Sequence, residues 1–124
     1  MTTLTQRCMQ FVLTSGARDP GRAQLGLEAA LAAVERGLAV SVYLTLDAVA
    51  WAAEPRRYVG GAQVYARLDA LRERGCRLHC CTAVPGATDG IGAPAPAQTT
   101  AGVQLTPLPE LLARVVDGVP TVTF

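Results

Sequence analysis

"AVSVYLTL", residues 39–46, carries no charge and is almost entirely apolar or β-branched. A strand with one wet face alternates apolar and polar residues, whereas one covered by helices on both faces need not. This stretch therefore reads as an inner strand of a sheet packed between two helical layers. That reading makes a demand on the flanking sequence, because a buried parallel strand needs helical crossovers on either side.

Upstream, "QFVLTSG" (10–16) reads as a strand closed by a Ser-Gly turn. Asp19 then caps a helix, Pro20 suits its first turn, and Ala23, Leu27, Ala30, Leu31 and Val34 fall at helical spacing before Gly37 ends it. Downstream, "EPRRYVGGAQ" (54–63) reads as a turn or loop. A helix through Val64, Leu68 and Leu71 stops at Gly75, and a third strand, "CRLHCCTA" (76–83), begins at once. Residues 84–102, mostly Gly, Ala, Pro, Thr and Asp, have no periodicity and are expected to form a mobile loop, a length often tied to function. "VQL" (103–105) reads as a brief strand. "PLPELLARVVDG" (107–118) reads as a helix with Leu108, Leu111, Leu112 and Val115 on one face and an i, i+4 pair between Glu110 and Arg114. "PTVTF" (120–124) reads as a fifth strand. The alternation predicts a single α/β domain over 1–124, a three-layer α/β/α sandwich around a mostly parallel five-stranded sheet.

Half of the 124 residues are hydrophobic and 17% are charged, with a formal net charge of +1. Such a balance leaves no electrostatic footprint for nucleic acid. It also leaves few polar groups to cover a monomer, which points to burial of apolar surface against further copies. The start, "MTTLTQRCMQ", lacks the basic and apolar segments of a secretion signal, and "LAVSVYLTL" (38–46) is about half a membrane span. A cytoplasmic protein is expected, without membrane contact.

In a reducing compartment, four cysteines read as chemistry or packing rather than a disulfide framework. Three of them lie with the only histidine inside "CRLHCC" (76–81). Alternation along a strand puts Cys76 and Cys80 on one face with Leu78, and His79 and Cys81 on the other with Arg77. Neither face gathers the four ligands of a structural zinc site, so no metal is expected. A disulfide between neighbours Cys80 and Cys81 would strain the backbone. Cys8 and Cys76 read as small hydrophobes. Cys80 and Cys81, however, close a strand in a sheet whose ligands gather at the carboxyl ends of strands. Cys81, nearer the loop, is expected to be the more exposed, with following backbone N–H groups or a cation able to stabilise its thiolate. His79 shares its face and could assist, although a strand histidine is more commonly just hydrogen-bonded.

Other signals are weaker. "SGARDPG" (15–21) matches no phosphate loop and reads as a turn with an Asp-Pro cap. Ser15 has no nucleophile-elbow setting. Trp51 and Tyr58 read as packing or interface residues.

Taken in order, "FVLTSGARDPGRAQLGLEAALAAVERGLAVSVYLTLDAV", "LDALRERGCRLHCCTA" and "GVQLTPLPELLARVVDGVPTVTF" resemble the DsrE/DsrF-like family of small sulfur-transfer proteins over nearly the whole chain. The resemblance implies a flavodoxin-like variant of the sandwich and assembly as a homotrimer or multiple of trimers. It implies that Cys81, within "LHCCTA", carries sulfur as a persulfide exchanged with a TusA-type carrier protein. Cys80 would serve as an adjacent second thiol, as in a subgroup linked to bacterial sulfur oxidation, and no cofactor is required. The segment after the cysteines differs from members that place a basic, Ala-rich helix there. The competing reading is a non-enzymatic trimeric module, structural or regulatory, in which the cysteines only pack. A flavin- or nucleotide-binding role lacks its phosphate loop.

Overall fold

The computed structural model describes residues 7–53, 55–81 and 102–124. Five strands, β1 (Cys8–Leu13), β2 (Ala39–Leu44), β3 (Arg77–Cys81), β4 (Val103–Thr106) and β5 (Thr121–Thr123), form one sheet in the order β4-β3-β2-β1-β5. Every pairing is parallel. Three helices, α1 (Pro20–Glu35), α2 (Ala62–Glu73) and α3 (Leu108–Val116), supply the crossovers and outer layers.

β2 is the middle strand, paired to β1 from Cys8↔Ala39 to Leu13↔Leu44 and to β3 from Ser41↔Arg77 to Leu44↔Cys80. Its position explains its composition. Val40, Val42 and Leu44 enter the larger core with Phe11, Leu13, Leu27, Leu71 and Leu78, beneath α1 and α2. Tyr43 faces the opposite side and joins Val12, Cys81 and Leu111 in a smaller core under α3.

Asp19 Oδ1 accepts the Arg22 amide hydrogen at 3.2 Å, and Pro20 opens α1 as expected. The stops at Gly37 (φ +86°) and Gly75 (φ +82°) use the left-handed region where glycine costs least. β2 ends at Leu44, two residues earlier than its apolar run suggests. Leu46 turns to φ +51° and starts a 3-10 turn, Leu46–Ala52, whose residues 48–52 are all buried. Local apolar content therefore fills a cap over the sheet end instead of prolonging the strand.

α3 forms as expected, with most of its apolar residues turned outward, and it corrects the expected ion pair. Only Leu111 is buried, while Leu108 (41%), Leu112 (52%) and Val115 (45%) remain exposed. Arg114 does not pair with Glu110; its guanidinium donates to Ser41 Oγ on β2 at 3.0 Å. A short helix lying over one sheet face presents a narrow stripe inward, and the long Arg114 side chain reaches the sheet beside that stripe. The loop expected at 84–102 lies outside the described residues except for Gly102.

The strand order reverses between β1 and β5, a place where open sheets often hold ligands. Phe124 takes up this crevice. Its ring stacks on Phe11 at 6.4 Å, and a Cβ on Gly26 would stand 3.0 Å from it. The described residues contain no helix long and apolar enough to cross a membrane.

Candidate functional site at the end of the third strand

Alternation along β3 decides where each thiol points. Leu78 and Cys80 enter the α1–α2 core, while Cys81 enters the smaller core beneath α3. The neighbouring cysteines therefore face opposite layers.

Both are buried. The expected difference in exposure shrinks to 1% for Cys80 and 5% for Cys81. Cys80 Sγ lies 3.8 Å from the Cys81 carbonyl, to which its S–H donates. Burial pushes the Cys80 thiol up to about 12, with the adjacent Cys81 adding to the effect. Cys81 packs with Val12, Tyr43 and Leu111.

The α3 side of the strand ends also holds a small polar cluster. The Tyr43 hydroxyl donates to the Thr106 carbonyl at 2.5 Å, with the Pro107 carbonyl 2.9 Å away as the alternative acceptor. Burial, then the negative potential of Cys81, pushes this phenol up to about 12. With one hydrogen and two carbonyls to serve, it is committed to the β4–α3 junction rather than to the Cys81 sulfur.

His79 stacks on Tyr43 at 5.5 Å, and its Nδ1 lies 2.8 Å from Thr106 Oγ1. Nε2 is buried with no hydrogen-bond partner among the described residues. The histidine is thus hydrogen-bonded within the cluster and not to a thiol. Burial, followed by the Arg114 and Arg77 charges, lowers its pKa below the ordinary value. A base whose folded pKa is depressed contributes stability that is complete above its unfolded pKa, about 6.5. Urea-melt stability should therefore fall as pH drops below that value, because the unfolded chain takes up the proton first. His79→Gln should flatten this part of the profile, and an unchanged slope would contradict the assignment.

Sequence reasoning leaves out Tyr43 and Thr106 and reads Arg114 only as a helical partner of Glu110. The one signal for Tyr43 is strand parity, since it sits opposite His79 in the register. Which strands neighbour β3 is not written locally. Among the described residues no three His, Cys, Asp or Glu side chains converge as metal ligands. Trp51 packs as expected, fully buried against Tyr58 and Tyr65.

The structure is thus a small α/β domain whose five-stranded parallel sheet has two thiols closing its third strand. The chain belongs to the DsrE/DsrF-like family, whose sequence model matches residues 9–124; this family is generally related to sulfur transfer. The crystal structure of the ychN protein from E. coli is similar in fold, with a TM-score of 0.75 at 21% identity, covering 97% of this chain and 100% of that one. A search of the curated proteins found no match.

Proposed function

We propose that the protein is a cytoplasmic sulfur carrier, or sulfurtransferase, that holds sulfane sulfur as a persulfide on Cys81. The observation that carries this reading is the placement of Cys81 as the last residue of β3, at the carboxyl edge of a DsrE-like sheet. Cys81 thiolate attacks the outer sulfur of a donor persulfide. The donor's S–S bond breaks, a new S–S bond forms on Cys81, and the donor leaves as a thiolate. Attack by an acceptor thiolate on the same outer sulfur reverses the step, so no electrons are gained or lost overall. A TusA-type carrier is the proposed exchange partner, within sulfur oxidation or sulfur trafficking. Cys80 takes a secondary role. Turned into the α1–α2 core with its pKa near 12, it stays protonated while Cys81 loads, and acts only after the strand end opens.

A TusA-type carrier loaded with persulfide and mixed with the protein should lose sulfur as the protein's intact mass rises by one sulfur atom. No exchange in either direction would sink the reading. The alternative, a structural or regulatory module with packing cysteines, is favoured by the burial of both thiols. It predicts no sulfur uptake from any donor.

Assembly is part of the proposal. Leu108, Leu112, Val115 and Val116 form an outward apolar strip on α3 at i, i+4, i+7 and i+8. A homotrimer burying this strip is expected. Light scattering should report about three times the 12.9 kDa chain mass, and Leu112→Glu should shift it toward monomer. A parent protein that stays monomeric at all concentrations would remove this part.

A further inference from the structure

A second concave region lies at the amino edge of the sheet, away from the thiols. It encloses about 470 Å³ and brings together Arg74 and Arg77 around the start of β3, Arg114 from α3, and Ser41 on β2. Leu38 and Val40 supply apolar wall, and among the described residues no carboxylate lines it. Its volume falls in the range of small-ligand sites.

What sets these three guanidiniums apart is that they converge on one cavity without an acidic partner. Arg56 is held by Asp69 at 2.6 Å, and Arg67 by Glu28 at 2.6 Å. Among the described residues, Arg74, Arg77 and Arg114 form no ion pair. A chain of net charge +1 thus concentrates three uncompensated cations in one cavity. Arg77, an exposed residue, shares the α3 face of β3 with His79, and Arg114 is held over that face by its hydrogen bond to Ser41. Both lie near enough to His79 to oppose its protonation.

We infer that this cavity binds a small molecule carrying two or more negative charges on phosphate or carboxylate groups, with Arg77 and Arg114 as principal ligands and Arg74 at the mouth. Planar guanidinium forks match both oxyanion types through paired N–H donors. The Ser41 hydroxyl and the short apolar wall suit a compact ligand with a small hydrocarbon part. The site is independent of the persulfide reading and stands at the other end of the strands.

Binding there has a consequence for His79. The groups facing its ring are Tyr43 from β2, Arg77 and Cys81 from its own strand, Thr106 at the end of β4, and Glu110 and Arg114 from α3. Of these, the two arginines hold the imidazole neutral by charge. An anion neutralising them removes part of that opposition, so ligand binding raises the His79 pKa. His79 is the only histidine in the chain, which makes its ring signals an unambiguous NMR reporter.

The test is calorimetric titration of the full chain at low ionic strength with two probes, inorganic pyrophosphate and succinate. Saturable binding with Kd of about 1 mM or tighter is expected for at least one. Pyrophosphate alone would identify a phosphate-type ligand, and succinate alone a dicarboxylate. The exposed Arg77→Gln variant should weaken binding about tenfold, the loss expected for one charge-assisted contact. Cys81→Ser should bind like the parent, which separates this result from the fate of the sulfur reading. In the presence of saturating probe the His79 titration should move upward. No saturation at millimolar probe, binding indifferent to Arg77→Gln, or an unmoved His79 titration would each overturn the assignment.

Discussion

Incubated with polysulfide, Cys81→Ser is expected to gain no sulfur, whereas the parent gains mass in steps of one sulfur atom. Under the proposed reading the persulfide has one anchor. Cys8, read from the sequence as a small hydrophobe, is exposed at the other end of the strands, so Cys8→Ser is built into both proteins compared, and burial raises the Cys76 pKa. Cys80 has the adjacency but not the chemistry. With its thiol pushed up to about 12 by burial, Cys80 stays protonated at pH 7. Its Sγ is also turned toward the opposite layer.

Cys80→Ser should therefore load sulfur as the parent does. Any difference should appear afterwards, as a longer-lived persulfide if Cys80 normally attacks it once the strand end opens. Time-resolved intact mass separates loading from decay, and alkylation mapping should find Cys81 modified well before Cys80. Loading lost only in Cys80→Ser would move the site by one residue and onto the other face. Loading unchanged in both variants would remove the cysteine pair from the chemistry altogether.

Trp51→Ala should give the largest loss of stability, about 3–5 kcal/mol. The indole is 1% exposed, donates its N–H to the Ser15 carbonyl at 2.8 Å, and meets Tyr58 and Tyr65 edge-on at 5.8 and 5.6 Å. Its space is shaped by glycine, since a Cβ on Gly61 would lie 2.5 Å from Cζ3 of the ring. Removing the ring opens a cavity between α2 and the 3-10 turn and strips the Ser15 carbonyl of its donor. Trp51→Phe, which keeps an aromatic ring but not the N–H, should cost less, with about 1 kcal/mol of its loss from the hydrogen bond. Far-UV circular dichroism in urea is the suitable measurement, because Trp51 is the only tryptophan. A loss under 1 kcal/mol in Trp51→Ala would show that the turn is not held by this residue.

The same contact matters for the site. Trp51 ties the turn after β2 to the turn after β1, and a Cβ on Gly16 would lie 2.5 Å from the Asp47 carbonyl oxygen. The carboxyl ends of these two strands are locked by packing, and Phe124 fills the crevice beside β1.

The sequence by itself determined the layer architecture and the inventory of thiols. A charge-free run at 39–46 can only be stable with both faces covered, and period-two alternation assigns Leu78 and Cys80 to one face and His79 and Cys81 to the other. Capping at Asp19 and the stops at Gly37 and Gly75 are equally local, because they depend on backbone groups a few residues away. Tertiary structure decided what depends on distant partners. The order β4-β3-β2-β1-β5 places Tyr43 against His79 and Thr106, and it buries Cys81 despite its position at a strand end. It also turns Arg114 from its helical neighbour Glu110 to Ser41, and leaves most of the apolar stripe of α3 facing outward. The physical reason is range. Dihedral preference and side-chain period act within a turn or a pleat, whereas burial and charge at the site are set by residues that are 27 to 73 positions apart in the chain and meet only when the sheet closes.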